Sequence, residues 1–315
     1  MSAPNYSALG LTQFIVTLDG AVLVVLMNRS KQRNSWIHSV PIELQKIFGI
    51  ADKDDRVRAV VLTSEHTAPA YCAGADISGG WDVLWDPEEE KEGKHAHRDS
   101  GGKTSLAIYR CRKITIAAVN GHAVCIHFLD TPPIRFSLRL GRGQAHLPFV
   151  RRGIVPEGTS INPRTHFTDA PPATSSYLLP RLLGHSRANS LLLTGATFTP
   201  DSPYVQGLYH QILPTREEVF PAALAFAKEL AASTSQVSIA VAKGLLQHPG
   251  DSAEENHLYD SRAMRMLGGS ADGEEGIRSF KEKRDPQFTG TLSKDLDTWY
   301  PWWFEVNTKH RGFKL

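Results

Sequence analysis

Apolar positions come in short, β-rich runs through the first third of the chain and recur at helical spacing after about residue 215. Phe14–Leu18 and Ala21–Met27 are two such runs, and the Asp19-Gly20 pair between them suits a type I′ hairpin turn. Asn34-Ser35 then opens a helical pattern that carries Ile37, Leu44 and Ile47. Val57–Thr63 predicts a buried strand that delivers the chain to Cys72-Ala73-Gly74-Ala75-Asp76. Ile114–Val119 predicts another, which runs into Asn120-Gly121-His122-Ala123-Val124. Strand, helix, strand, turn, helix, strand is a crossover α/β layout.

The second half reads as helical. Thr215-x-x-Glu218 has the form of a capping box ahead of an alanine-rich stretch with Phe226 and Leu230 four apart. Gln236–Leu246 is a further apolar helix. Asp272-x-x-Glu275 predicts the start of another, with Ile277 and Phe280 on one face. The charged run Trp85–Gly102 reads as a solvated loop or helix face. His95 and His97 stand two apart without a third ligand in view, so no metal is expected.

Composition narrows the class. A chain of 315 residues with 41% hydrophobic and 22% charged content is long enough to bury a large core. A net charge of +2 gives no reason to expect nucleic acid or a membrane surface as partner. Cys72, Cys111 and Cys125 have spacings that fit neither a disulfide framework nor a metal site, which favours a reducing compartment. No apolar run reaches spanning length, so a soluble, intracellular protein is expected.

The turn at Ala73–Asp76 suggests chemistry. Small side chains at a strand end leave main-chain N–H groups that a carbonyl oxygen can approach closely. Two such groups from two turns would form an oxyanion hole. The motifs VRAVVLTSEHTAPAYCAGADISG, ITIAAVNGHAV, LPFVRRGIVPEG, SSYLLPRLLGHSRA and LLLTGATFT occur in that order, followed by KELAASTSQVSIAVAKGLL and ADGEEGIRSFKEKRDPQFTG. From about Phe14 to Gly290 the chain resembles the crotonase superfamily of enoyl-CoA hydratases and isomerases, with most likeness to the Δ3,Δ2-enoyl-CoA isomerase branch.

That resemblance implies an α/β, crotonase-like spiral of ββα units with a C-terminal helical trimerisation region. It implies a homotrimer or a hexamer, and an acyl-CoA substrate with no further cofactor. By position it assigns one oxyanion donor to the N–H of Ala73, with Ala73, Gly74, Ala75, Asp76 and Ile77 against the CoA and its thioester. Asp76 is expected to hold the turn. The second donor falls on Ile126, where the family has glycines, and a β-branched residue resists positive φ there. The two glutamates of hydratases fall on Leu129 and Phe149, neither of which handles protons. Glu157, in Ile154-Val155-Pro156-Glu157-Gly158, matches the position of the single isomerase base. One base suffices to move a proton between two carbons, whereas adding water needs a second group.

Two segments depart from the family. Pro133–Gly143 (PIRFSLRLGRG) does not read as a family strand. It does correspond to the family's Leu-Pro-Phe-Asp-Phe-Arg-Phe-Val-Trp read from the third base of each codon, which suggests a frame slip over about Cys125–His146. Ile161–Ser175 reads as an insertion or a retained intron. The expected organisation is a core over 1–245 and a C-terminal helical region with an aromatic tail over 246–315. Trp299, Tyr300, Trp302, Trp303 and Phe304 in that tail are expected to pack, covering a subunit contact. Phe313-Lys314-Leu315 shares two letters with a peroxisomal address.

Overall fold

The first two apolar runs pair as an antiparallel hairpin, β1 (Phe14–Asp19) with β2 (Val22–Met27), at one edge of a six-stranded sheet. Asp19 pairs with Val22, so the loop residues are Gly20 and Ala21, and only Gly20 has positive φ (+61°). Glycine with positive φ at the first loop position is the type II′ pattern; type I′ would need positive φ at both. The computed structural model describes residues 3–80, 91, 97–124, 136–146, 150–152 and 175–306. His95, Ile126, Leu129, Phe149, Glu157, most of Ile161–Ser175 and Phe313–Leu315 lie outside them.

After β2 come α1 (Ser39–Lys53), β3 (Ala59–Ser64), α2 (Ser100–Arg110) and β4 (Ile114–Val119). Next are β5 (Ala123–Val124), β6 (Phe136–Leu140), β7 (Ala145–His146), α3 (Ser175–Leu183), α4 (His185–Thr194), β8 (Thr197–Phe198) and β9 (Gln211–Leu213). The chain ends in α5 (Arg216–Ser233), α6 (Gln236–Gln247), α7 (Ala253–Gly268) and α8 (Ala271–Glu282). The large sheet has the order β1-β2-β3-β4-β6-β9, parallel beyond the first hairpin. A second ladder, β5-β7-β8, stands beside it.

Parallel strands covered on both faces read as continuous apolar runs, and β3 and β4 are buried at every position. Their side chains divide by the two-residue period of a strand. Val60, Leu62, Ala117 and Val119 join the core shared with Leu44, Ile47 and Phe48 of α1 and Ile108 of α2. Val61, Ile116 and Ala118 face the other way, onto Val219, Ala223, Ala227 and Ala231 of α5. That four-residue alanine spacing lets α5 lie close to the sheet.

The segment that does not read as a family strand forms β6 all the same, between β4 and β9. Leu138 joins the α5-side core, and Arg139 is fully buried with its guanidinium 5.2 Å from the Tyr209 ring. Other differences lie in the helical half. Thr215 occupies the N-cap position of α5, but its side chain makes no capping bond. Asp272 and Glu275 do not cap α8. Ser270 does, and both carboxylates are buried beneath the helix. Trp299, Tyr300, Trp302 and Trp303 pack within their own chain, against α6 and α7, whereas Phe304 is 99% exposed and does not pack.

α6 is tied to the sheet by a buried cation. The Lys243 ammonium donates to the carbonyls of Cys111 and Lys113, both at 2.6 Å, where α2 hands over to β4. Charge-assisted hydrogen bonds of this kind contribute about 1.5–3 kcal/mol each. Lys243→Met is expected to lower the unfolding free energy by about 2–4 kcal/mol in urea titration, since it leaves two buried carbonyls without their donor.

Candidate active site

The two turns singled out in the sequence meet in the fold. Cys72 and Ala123 form a parallel bridge, with Cys72 N–H donating to His122 C=O (3.2 Å) and Val124 N–H donating to Cys72 C=O (2.9 Å). Gly121 permits this approach, because a Cβ there would lie 2.7 Å from the Tyr71 nitrogen. Gly74 has φ of +89°, a conformation that L side chains resist, and this reorients the chain in the middle of the first turn.

On its other side the first turn is held by residues 33–36. The Ala73 N–H donates to Arg33 C=O at 2.9 Å, so the donor assigned by position is already engaged. Trp36 and Ala75 form a second bridge, in which Trp36 N–H donates to Gly74 C=O (2.8 Å) and Asp76 N–H donates to Trp36 C=O (2.9 Å). A trans peptide points its C=O and N–H in opposite directions. With the Gly74 carbonyl turned toward Trp36, the Ala75 N–H points away from Trp36. Among the described residues that N–H meets no acceptor.

Polar side chains fix this geometry, Asn34 from a buried position. Asn34 does not open a helix. Its backbone has φ of +52°, and its amide donates to Ala70 C=O (3.2 Å) and Tyr71 C=O (3.0 Å) while accepting from Arg29 N–H (3.1 Å). Asp76 accepts from Ser78 N–H (3.2 Å) and Ser78 Oγ–H (2.7 Å), bonds that hold its carboxyl below the ordinary range. This agrees with a turn-holding role. Ile77 is exposed beside it. Arg29, Lys31 and Arg33 place three cations in the segment hydrogen-bonded to the turn, and the Arg29 guanidinium donates to Ser35 C=O (3.1 Å) and Gln13 Oε1 (3.0 Å).

The motifs place Ala75 against the thioester without marking it as the free donor, assign Asn34 to a helix start, and give no role to this basic segment. Main-chain donor direction is not written in residue type, and Asn-Arg-Ser-Lys-Gln-Arg-Asn (28–34) reads as an ordinary polar connection. Among the described residues no group of three His, Cys, Asp or Glu side chains gathers to hold a metal.

The comparisons with known proteins accord with the two-turn geometry. The enoyl-CoA hydratase/isomerase family matches residues 17–126 and 162–291, so Ala73–Ile77 and Ile126 fall inside the match and Glu157 falls in the gap. The chain is 35% identical over 274 residues to enoyl-CoA hydratase AFT3-1 of Alternaria alternata, spanning 87% of this chain and 84% of that one. It is 29% identical to mevalonyl-coenzyme A hydratase SIDH of Beauveria bassiana over 84% of this chain and 90% of the relative. The crystal structure of enoyl-CoA hydratase from Bacillus anthracis, at 23% identity, superposes with a TM-score of 0.74 over 89% of this chain and all of that one, which shows the crotonase-like fold. The chain belongs to the enoyl-CoA hydratase/isomerase family, a group of acyl-CoA enzymes.

Proposed function

We propose that the protein shifts the double bond of a 3-enoyl-CoA to the 2-position through a thioester enolate. The observation that carries this reading is the Ala75 N–H, which points away from Trp36 and meets no acceptor among the described residues. A thioester oxygen between the two turns would accept from it, and the N–H of Ile126 would supply the second donor. We assign the first donor to Ala75 rather than Ala73, because the Ala73 hydrogen is committed to Arg33. Arg29, Lys31 and Arg33 suit the phosphates of CoA. Glu157 would remove a proton from C2 and return it to C4, while the N–H donors hold the negative charge on oxygen.

Hydration is the second reading, favoured by the names of the Alternaria and Beauveria relatives. Purified protein given a 3-enoyl-CoA separates the two. Conjugated 2-enoyl product that disappears in Glu157→Gln supports isomerisation. If 3-hydroxyacyl-CoA forms from the 2-enoyl thioester with no bond shift, the isomerase assignment fails. Tight binding without turnover would instead make the chain a non-catalytic acyl-CoA-binding subunit.

We propose as well that the working form is a homotrimer or hexamer. Ile277 and Phe280, three apart on α8, are exposed in the single chain, Phe280 to 84%. The buried positions of that helix are polar.

A further inference from the structure

We propose that Ser64 and Asn120 are positioning residues for the oxyanion site, setting how far apart the two turns stand through a reciprocal pair of side-chain hydrogen bonds. This role rests on the thioester-enolate reading above, which uses neither residue.

Main-chain pairing stops just short of both turns. The β3–β4 ladder ends at Thr63 and Ala118. Beyond it one strand runs through residues 65–71 to the first turn, and the other enters the second turn at once. Side chains take over where the ladder gives out. Thr63 Oγ1–H donates to Ala118 C=O (3.2 Å). One residue further, Ser64 Oγ–H donates to Asn120 Oδ1 (2.6 Å), and Asn120 Nδ2–H returns a bond to Ser64 C=O (2.5 Å). Both residues are buried at the ends of largely apolar strands. Apolar side chains would fill this space without fixing the distance across it. A buried hydroxyl and amide hold each other at one distance and one angle, because a partner left unpaired there costs about 1–3 kcal/mol.

The pair is one of two clamps between the turns. The other is the Cys72–Ala123 bridge. Between the clamps Gly121 lies against Ala70 and Tyr71 with no room for a Cβ, and Asn34 holds the carbonyls of those same two residues. Arg216 of α5 holds Ala68 C=O (2.7 Å). The second turn has its own brace: Ala123 N–H donates to Gln144 C=O (3.0 Å), and Gln144 N–H donates to His122 Nδ1 (3.2 Å). Each turn is thus tied down separately, and Ser64 with Asn120 joins the two at their root. Among the described residues neither is hydrogen-bonded to Ala73–Ile77 or to Arg29, Lys31 and Arg33. Their loss should therefore move one N–H donor relative to the other and leave the CoA contacts in place. A misplacement of about 1 Å at a reacting centre costs on the order of 100-fold in rate.

Acetoacetyl-CoA tests this on the full chain, since its enolate shares negative charge with the thioester oxygen and can be followed by its near-ultraviolet absorbance. The wild type is expected to lower the pKa at which the bound ligand forms its enolate. Ser64→Ala and Asn120→Ala are each expected to raise it again by about one pH unit or more, a tenfold loss in the ionisation equilibrium, with affinity for CoA itself unchanged to within about twofold. The double variant is expected to shift no further than the worse single one, because the two side chains act as a unit. Ser64→Ala removes one oxygen and keeps the test open if Asn120→Ala does not fold, which circular dichroism reports. Variants that lower the enolate pKa as far as the wild type, single shifts that add in the double variant, or an equal loss of CoA affinity would each overturn the positioning role. A wild type that binds acetoacetyl-CoA without favouring its enolate would overturn the oxyanion reading itself, and the positioning role with it.

Discussion

Replacing the Ala75 amide by an ester, through lactic acid incorporated at that position, is expected to lower kcat/KM 100- to 1,000-fold and to leave the fold almost unchanged. The ester keeps the side chain and the extended geometry, deletes one hydrogen, and weakens without removing the Gly74 carbonyl that accepts from Trp36 N–H (2.8 Å). That hydrogen meets no acceptor among the described residues, so folding loses no bond with it. In the reaction it would face the oxygen that becomes negative, where a single oriented donor contributes about 3–4 kcal/mol. The same exchange at Ala73 is expected to behave the opposite way. There the hydrogen joins Arg33 C=O at 2.9 Å, so its loss would lower stability by about 0.5–1.5 kcal/mol and affect turnover only through the turn's position. Denaturant titration beside steady-state kinetics separates the two outcomes. If the ester at 73 abolishes turnover and that at 75 does not, the donor assignment reverts to Ala73.

That contrast shows where sequence reading stops. The strands Ala59–Ser64 and Ile114–Val119 were legible because parallel strands covered on both faces need unbroken apolar runs. The pairing of the two turns was legible from the order of motifs, and Cys72 and Ala123 meet as that order implies. Which N–H of the first turn is unspent was not legible, since it depends on the φ of Gly74 and on what Trp36 takes. The strand Phe136–Leu140 was missed for a different reason. Its letters include a serine and an arginine, and the neighbouring strands impose pairing on them, at the cost of burying Arg139 completely. α7 gave no periodic signal because it buries so little within the chain.

Phe280→Asp is expected to convert the assembled protein to monomers, and it provides the sharpest test of the assembly reading. In the single chain this ring is 84% exposed on a helix whose inner face is held by charge. Glu275 pairs with Arg278 (2.5 Å) and Arg284 (2.6 Å), and Asp272 accepts from Ser235 Oγ–H (2.6 Å), Thr289 N–H (3.0 Å) and Gly290 N–H (2.9 Å). The helix is therefore anchored by its polar side, and Phe280 contributes nothing to that anchoring. Covering a phenylalanine side chain is worth about 1.5–3 kcal/mol, so three copies in a closed trimer would contribute roughly 4.5–9 kcal/mol to assembly. An aspartate loses that contribution and adds the desolvation of a carboxylate, which suffices to dissociate a trimer at micromolar concentration. Light scattering should then report about 35 kDa in place of a multiple of the 34.8 kDa chain, with the helical circular dichroism retained. A wild-type chain already of that mass, or a Phe280→Asp protein still assembled, would leave α8 facing water and require another account of its apolar side.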